Sequence, residues 1–412
     1  MPQKDQTLLL GTAREKITPR EGVPLVGYPK PRPNTGIAKE LYARASVFAP
    51  PGSNSPAAVL VVLDTIGVSA ELVARMRAGI SEDFDGLSEN AIMIAATHTH
   101  SGPRLYSWYK DGQPMEADAE TVELTIAGVR KAAKAAAGQM REVSGRIGLT
   151  EAWWGSNRRV VDPEGQATNV WKDLEGLHPG YFNANLRFIC FDDVPTAKTG
   201  VIFEHYGCHP VVGGQESTRV SSDYPGYLVD RLEAETGARM AVHITGAAAN
   251  INPRDPVQPD VTRARIMGEA LADEVLESIQ LTRPVNLQPI VTVREPFEVV
   301  LGPEATGRLE HRSTETPEGL QITSEVQILR LGEIAFIGTP GELFAEIGTS
   351  IENMSPFRHT IVLSNTNDSL GYMVTESAYR EGGYEKRLAP APDIEPVLLA
   401  AAHRALTKAA AG

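Results

Sequence analysis

The sequence predicts a fold of the α/β (α+β) class, because buried strands alternate with amphipathic helices along the chain. Residues Ala57 to Ile66 form a continuous apolar run, of the kind found in strands that are covered on both faces. Apolar residues with helical spacing follow from Glu71 to Ile80, and a second apolar run begins at Ala91. This strand, helix, strand order is typical of chains in which helices cover a sheet.

The same two periodicities predict the remaining elements. Strands are predicted over residues 8–17, 41–48, 144–154, 182–192, 199–206, 240–245, 290–301, 320–331 and 360–364. Helices are predicted over residues 117–140, 221–235 and 262–279 and from Glu395 onward. An apolar strand and a tight turn from Glu333 place Glu342 at the start of one more helix.

Composition excludes two classes of main partner. The 412 residues include 39 Lys and Arg against 52 Asp and Glu, which gives a formal net charge of −13. This acidic balance argues against nucleic acid or an anionic membrane as the main partner. No Pro/Ser-rich or charged linker divides the sequence. We therefore expect a single catalytic domain over residues 1–412.

Cysteine usage and the apolar runs indicate a cytoplasmic protein. The two cysteines, Cys190 and Cys208, are too few for a disulfide framework and fit a reducing compartment. The apolar patch between Met1 and Gly11 is shorter than the core of a signal peptide, and no apolar run approaches membrane-spanning length. We therefore expect no stable membrane association.

Two histidines, His98 and His100, follow the apolar run that begins at Ala91 and precede a turn at Gly102-Pro103. In an extended strand, residues two apart point to the same face, so the two imidazoles are expected to converge. His-x-His at a strand end is a recurrent way of presenting imidazole to zinc. The motif alone leaves two interpretations open, a metal site and a pair of surface histidines beside a turn.

Other polar residues near strand ends also carry two interpretations each. His209 precedes Pro210 at the end of a predicted strand, and this third histidine favours a metal site. Glu342 is either a first-turn glutamate in the field of a helix dipole or a further ligand. Asp64 either caps the next helix, which is favoured, or orients a metal-binding histidine. His243, inside a strand, is interpreted as a core histidine rather than a ligand.

Several loops are candidates for the surroundings of such a site. Gly27 lies either at a close approach of the backbone or in a simple turn, and the turn is favoured. The aromatic residues between Arg104 and Pro114 either line a substrate pocket or pack as a local cluster. Arg158, taken alone, is interpreted as a surface charge. The small residues that begin at Gly246 either leave backbone amides free to bind an anion or form a plain turn.

Seven motifs occur in an order that is far more specific than any one of them. They are Thr97-His-Thr-His-Ser-Gly-Pro103, Ser156-Asn-Arg158, Gly207-Cys-His-Pro210, Ser221-Ser-Asp-Tyr-Pro-Gly226, Asn250-Ile-Asn-Pro253, Pro340-Gly-Glu342 and Gly371-Tyr372. The ordered set resembles the catalytic domain of neutral ceramidases, and the resemblance extends from about Gly11 to Tyr384. It implies two mixed β-sheets packed face to face and flanked by helices, an αββα-like fold.

The resemblance also implies a zinc site. Matching motif to motif assigns the family's ligands, two histidines, a glutamate and a tyrosine, to His98, His209, Glu342 and Tyr372. A phenolate ligand is unusual, but a cation beside the ring oxygen favours its ionised form. Such a ligand set also accepts manganese, iron or cobalt. The cofactor that the resemblance implies is Zn²⁺.

Four catalytic residues complete the site that the resemblance implies. His100 matches a histidine that assists proton transfer, and Arg158 and Tyr384 match residues that bind or polarise the scissile carbonyl. Asn252 stands where the family has a serine. Asparagine cannot form an acyl-enzyme, but it donates a hydrogen bond. We therefore expect attack by a metal-activated water, with Asn252 orienting the carbonyl or the oxyanion.

The function that follows is that of a metal-dependent amidohydrolase acting on a C–N amide bond in a small, soluble substrate rather than in ceramide. The chain stops soon after Tyr384, whereas neutral ceramidases continue into an immunoglobulin-like domain, so we expect a short cytoplasmic member. Two alternatives remain, namely an esterase or lactonase and a non-catalytic zinc-containing protein that binds a small ligand. The presence of His100, Arg158 and Tyr384 favours catalysis over the second alternative. The sequence leaves the oligomeric state open.

Overall fold

The computed structural model of the protein describes residues 6–110 and 113–412. The sequence-based expectations for Met1 to Asp5 and for Asp111 and Gly112, in the aromatic loop, lie outside the described residues. Eight α-helices occur in the described part of the chain. They are α1 (Ala70–Ser81), α2 (Ala119–Ala137), α3 (Asp223–Thr236), α4 (Thr262–Ser278), α5 (Pro303–Leu309), α6 (Ala345–Met354), α7 (Glu376–Glu381) and α8 (Ile394–Ala411). None of these helices is long and apolar enough to cross a membrane.

Fourteen strands of the described residues form two mixed sheets. In the larger sheet they are β1 (Thr7–Lys16), β2 (Tyr42–Ala49), β3 (Ala58–Leu63), β4 (Ile92–Ala96), β5 (Arg141–Glu151), β6 (Asn185–Asp193), β7 (Lys198–Tyr206), β8 (Met240–Thr245) and β9 (Arg283–Val285). In the smaller sheet they are β10 (Ile290–Val300), β11 (Thr314–Thr316), β12 (Gly319–Leu331), β13 (Ile334–Gly338) and β14 (His359–Leu363).

The larger sheet has the strand order β8-β7-β6-β5-β1-β2-β3-β4, and β9 pairs with β5. Two of its pairs, β3 with β4 and β7 with β8, are parallel, and the others are antiparallel. A parallel pair needs a long crossover, which α1 and α3 provide here. The smaller sheet has the order β10-β12-β13-β14, with β11 beside β12. Its one parallel pair, β13 with β14, is connected through α6.

The two sheets pack against each other through a shared apolar core. Phe203 of β7 and Phe336 of β13 meet there with ring centroids 6.1 Å apart. On the outer face of the larger sheet, α1 and α2 cover one part and α3 and α4 cover another. Helices α5, α6 and α8 cover the outer face of the smaller sheet. The predicted fold of two mixed sheets flanked by helices is therefore confirmed.

Asp64 has neither of the roles that the sequence suggested. The carboxylate accepts hydrogen bonds from Arg44 Nη1 at 2.7 Å and from the backbone N–H of Tyr42 at 3.0 Å. The N-cap of α1 is Ser69, whose Oγ accepts from the N–H of Leu72. Both interpretations of Asp64 are wrong because a buried arginine on the neighbouring strand holds the carboxylate.

Candidate metal centre

The candidate site lies where strands from both sheets end. In the larger sheet, His98 follows β4, His209 follows β7 and Asn252 follows β8. In the smaller sheet, Glu342 follows β13 and Tyr372 follows β14. Because the sheets are stacked face to face, these strand ends bring side chains from distant parts of the chain to one place.

His98 owes its direction to the backbone rather than to strand alternation. Strand β4 ends at Ala96, and His98 has a φ of 68°, in the left-handed region. Its N–H donates to the carbonyl of Thr65, and its Nδ1 lies 2.5 Å from the carbonyl oxygen of Ile66. These contacts bring Nε2 to 3.2 Å from Nε2 of His100. The expected convergence is confirmed, but the expected cause is wrong.

His209 joins this pair from the end of β7. Its Nδ1 lies 2.6 Å from the carbonyl oxygen of Ala248, and its ring centroid lies 4.9 Å from that of His98. When Nδ1 donates its proton to a carbonyl, Nε2 of the neutral ring keeps a free electron pair for a metal. One possible ligand nitrogen from each of His98, His100 and His209 lies within 4.8 Å of the others.

His100 differs from the other two histidines in the hydrogen bonding of its Nδ1 atom. Its Nδ1 is buried and has no hydrogen-bond partner among the described residues. Burial, together with the neighbouring His98 and His209, lowers the pKa of His100 well below its ordinary value, so the ring is neutral at pH 7. A metal-ligating histidine almost always donates its other N–H to an acceptor. His100 lacks that feature, which favours a role in proton transfer over ligation.

Glu342 lies next to two of the histidines. Its Oε2 is 3.0 Å from Nε2 of His209 and 3.4 Å from Nε2 of His98. Tetrahedral zinc, with ligands at about 2.0–2.1 Å, keeps ligand atoms about 3.3 Å apart, so these separations suit a shared ion. Burial alone would raise the pKa of Glu342, but His98 and His209 outweigh it and hold the pKa well below its ordinary value.

A short parallel pair sets the register between Glu342 and Tyr372. Strand Glu342–Leu343 pairs with strand Tyr372–Met373, with Glu342 directly opposite Tyr372. The predicted helix start at Glu342 is therefore wrong, since α6 begins at Ala345. Burial, reinforced by Glu342, raises the pKa of Tyr372 well above its ordinary value. The nearby Arg158 opposes this shift without reversing it, so the phenol stays neutral, and a metal ion at its oxygen would favour the ionised form.

Arg158 is buried in this site rather than exposed, so its interpretation as a surface charge is wrong. Its Nη2 donates to the Tyr372 hydroxyl and its Nη1 donates to Oδ1 of Asn252, both at 3.2 Å. A strand pair holds this geometry, because Gly155–Asn157 is antiparallel to Ile251–Pro253. Burial would lower the pKa of Arg158, but Tyr372 and nearby carboxylates raise it.

Asn252 presents a free donor. Because Oδ1 of Asn252 accepts from Arg158, its amide group is oriented, and Nδ2 is buried without a partner among the described residues. Backbone amides around it are already used, since Ala249 donates to Leu343 and Arg254 donates to Trp154. The donor that this stretch offers is the Asn252 side chain rather than those backbone N–H groups.

Tyr384 lies at the outer edge of the group. Its side chain is 37% exposed, and its ring centroid lies 5.7 Å from that of Tyr372. Two residues that sequence reasoning missed, Trp171 and Glu385, contact Tyr384 or Arg158. The indole of Trp171 lies 6.0 Å from the Tyr384 ring and 5.1 Å from the Arg158 guanidinium carbon. Glu385, fully buried, accepts from Arg158 Nε at 2.9 Å. The sequence did carry a signal for Glu385, because this acidic residue comes directly after the candidate residue Tyr384.

Gly27 and His243 have contacts that decide between the interpretations made from the sequence. Gly27 has a φ of 101°, and a Cβ placed on it would lie 2.5 Å from the ring of His100. The favoured interpretation as a simple turn is wrong, and the alternative of a close approach is correct. His243 is buried, and its Nδ1 lies 2.5 Å from Oε2 of Glu204. Its interpretation as a core histidine is confirmed.

A family profile and two solved ceramidase structures are similar to this chain. The profile of the family described as neutral/alkaline non-lysosomal ceramidase, N-terminal, matches residues 8–265. The crystal structure of neutral ceramidase from Pseudomonas aeruginosa has a TM-score of 0.78 and 17% identity, over 98% of this chain and 75% of that one. A structure described as ceramidase complexed with C2 has a TM-score of 0.78 and 16% identity, over 98% and 76% of the two chains. None of the curated proteins gives a significant match.

Proposed function

Because this chain belongs to the neutral/alkaline non-lysosomal ceramidase family, we propose that it is a zinc-dependent hydrolase that cleaves a C–N amide bond in a small substrate. Members of the family are hydrolases that act on amide C–N bonds. The proposal adds zinc as the metal and a small, soluble amide as the substrate. The observation that carries it is the convergence of three histidines, a carboxylate and a phenol on one point, beside a buried guanidinium and a free amide donor.

Four residues would hold the zinc ion, namely His98, His209, Glu342 and Tyr372. The atom separations around Oε2 of Glu342 suit tetrahedral ligation, and carbonyl groups anchor the Nδ1 atoms of both histidines. A zinc ion bound there supplies a Lewis acid, which makes water a nucleophile near neutral pH and polarises a carbonyl.

The remaining site residues bind the reacting groups and move the proton. His100, neutral at pH 7, accepts a proton from the attacking water at Nε2 and delivers it to the leaving nitrogen. Nδ2 of Asn252 donates to the oxygen on which negative charge develops, and the Arg158 guanidinium stabilises the same charge. The hydroxyl of Tyr384, at the exposed edge, donates a hydrogen bond to the substrate carbonyl as the substrate enters.

We place this enzyme in the cytoplasm as one catalytic domain over residues 1–412. The net charge of −13 and the two buried free thiols, Cys190 and Cys208, support this placement. Its partner is the small amide substrate, without nucleic acid and without stable membrane association.

Metal content and turnover test the proposal together. Elemental mass spectrometry of the purified wild type should find about one zinc per chain, and Glu342→Gln and His209→Ala should lose it. Glu346→Gln makes the same change four residues further on, where the carboxylate accepts from Asn250, and should keep the metal. A panel of N-acyl amides, lactams and esters is then assayed with each protein. Turnover of amides only by the metal-containing proteins supports the proposal.

Other outcomes of the same experiment lead elsewhere. A wild type that cannot be reconstituted with zinc rules the proposal out. Turnover of esters or lactones without amides indicates an esterase or lactonase. Bound zinc without turnover of any compound indicates a ligand-binding protein.

A further inference from the structure

A cavity of about 450 Å³ lies beside the candidate metal centre and plays no part in the chemistry above. Its lining includes Tyr106, Trp108 and Tyr109 of the aromatic loop, together with Arg308 at the end of α5. Nη2 of Arg308 would lie only 3.0 Å from a Cβ placed on Gly371, the residue before Tyr372. Arg308, in the wall of the cavity, is therefore next to the backbone that leads to Tyr372, and Glu342 acts on it electrostatically.

Arg308 is a buried cation without a partner anion. The residue is 7% exposed, and of its side-chain nitrogens only Nη2 has a hydrogen-bond partner in the described part of the chain, the carbonyl oxygen of Leu388 at 2.8 Å. Nε and Nη1 have no partner, and Arg308 forms no ion pair with any described residue. Arg312, which also lines the cavity, is paired instead, because it donates to both carboxylate oxygens of Asp368 at 2.8 and 2.9 Å.

A second arginine accompanies Arg308. Arg104 has a buried Nη1 without a partner among the described residues. The guanidinium carbons of Arg104 and Arg308 lie 5.3 and 5.4 Å from the ring centroid of Trp108. Burial lowers the pKa of Arg308 to about 10, which still leaves it charged at pH 7. Neither Arg104 nor Arg308 forms an ion pair with a described carboxylate. Of the three glutamates in the cavity lining, Glu123 pairs with Arg75, Glu116 accepts from Ser107 Oγ, and Glu71 acts electrostatically on Arg312. Two cations that share one aromatic ring and lack a paired carboxylate favour the binding of an anion.

We propose that this cavity binds a carboxylate of the substrate, through the unpaired donors of Arg308 and with Arg104 and Trp108 in support. A planar carboxylate suits the end of the guanidinium, where the unpaired Nη1–H and the second N–H of Nη2 point the same way and can form two parallel hydrogen bonds. The proposal rests on the hydrolase function above and deepens it. The substrate class becomes small amides that also carry a carboxylate, a group that ceramide lacks.

Binding is tested first with probes that contain no amide bond. Isothermal titration calorimetry compares 4-phenylbutanoate with 4-phenylbutan-1-ol on the purified protein. The carboxylate should bind about 10-fold or more tightly than the alcohol, and Arg308→Met should abolish that preference. Arg187→Gln removes a cation that Glu352 pairs elsewhere and should bind like the wild type. Arg104→Met repeats the test should Arg308→Met not fold.

Glu342→Gln separates the cavity from the metal centre and should still bind 4-phenylbutanoate. Equal binding of the two probes by the wild type, undiminished binding by Arg308→Met, or loss of binding in Glu342→Gln would each overturn the proposal.

Turnover separates the anion site from the hydrolase function. N-benzoylglycine should have a kcat/KM about 10-fold or more above that of N-benzoylglycinamide, and Arg308→Met should lower only the first. Equal values for the two substrates in the wild type contradict the anion site and leave the hydrolase intact. Arg308-dependent binding of 4-phenylbutanoate without turnover of any amide contradicts the hydrolase and leaves the anion site intact.

Discussion

At the scale of single residues, the position of His100 depends on a residue with no side chain. Gly27 packs so closely on the His100 ring that a methyl group has no space there. Tyr28 adds an edge contact with ring centroids 5.4 Å apart. The ring therefore packs against Gly27 and Tyr28 as well as against the other two histidines. This packing compensates for the missing hydrogen bond at Nδ1.

Gly27→Ala tests this packing. The new Cβ should push the His100 ring away, so kcat should fall about 10-fold or more while zinc is retained, because His100 is not a proposed ligand. Gly22→Ala is the matched control, since Gly22 also has a positive φ, 88°, but no atom of the described residues lies within 4 Å of its Cβ position. Both variants should lose stability through the strained backbone, by about 1 kcal/mol. Equal kcat values in the two variants would contradict the packing role.

Asn252→Asp tests the proposed oxyanion donor. The carboxylate keeps the acceptor for Arg158 but removes the N–H donor and adds negative charge where charge must develop. We expect kcat to fall about 100-fold or more, with zinc content unchanged. Steady-state kinetics with metal analysis checks this, and Asn54→Asp, the same change at an exposed position, serves as control. A variant with wild-type kcat would show that Nδ2 has no catalytic role.

The identities of the candidate site residues were predictable from the sequence, whereas the contacts that hold them in place were not. Histidines, a glutamate and a tyrosine beside turns stand out in a sequence because their motifs occur in a fixed order. The burial of Arg158 depends on Glu385, which is far away in the chain and pairs with it only after folding. The left-handed backbone of His98 likewise depends on contacts with the loop after β3.

At the scale of elements, the long strands were predictable because their apolar runs are local features. Predicted strand 199–206 and observed strand Lys198–Tyr206 differ by one residue at one end. The short helices α5 and α7, of seven and six residues, were not predicted, because two turns give little periodicity. The two-residue pair that aligns Glu342 with Tyr372 has no local signal and is set by tertiary contacts.

One strand carries a residue that makes stability depend on pH. His205 on β7 is buried against the smaller sheet, and its Nε2 lies 2.9 Å from the carbonyl oxygen of Val362. Burial lowers the pKa of His205 to about 3. Between about pH 6.5 and about pH 3, the unfolded chain binds a proton at this residue and the folded chain does not. The unfolding free energy should therefore fall as the pH falls, by about 1.4 kcal/mol per pH unit at most.

His205→Gln keeps a donor for Val362 and removes the titrating ring. Denaturant unfolding at several pH values should show a shallower loss of stability for this variant below about pH 6.5. His403→Gln, on the exposed face of α8, should follow the wild-type curve. Parallel curves for the wild type and His205→Gln would show that this histidine does not contribute to acid sensitivity.

At the scale of the whole molecule, the proposed ligands come from both sheets. His98 and His209 follow strands of the larger sheet, and Glu342 and Tyr372 follow strands of the smaller one. An ion held by all four would join the two layers at one edge of their shared core. Its binding free energy would then add to the stability of the packed sheets.

Removal of the metal should therefore destabilise the protein. At free zinc about 1,000 times the Kd, the metal adds about 4 kcal/mol to the unfolding free energy. Treatment with a chelator should lower the melting temperature of the wild type and leave that of Glu342→Gln unchanged. Differential scanning calorimetry with and without chelator measures both. An unchanged wild type, with its metal verifiably removed, would mean that the ion does not couple the sheets.

The wide spacing of the proposed ligands along the chain has a consequence during protein synthesis. His98 and His209 leave the ribosome first, and Glu342 and Tyr372 emerge only after more than a hundred further residues have been made. A nascent chain that has not yet reached Glu342 holds at most two of the four proposed ligands, so we expect it to bind zinc weakly. We therefore expect zinc capture only after Tyr372 has emerged and the smaller sheet has docked, and we expect a translation product truncated before Glu342 to carry no metal.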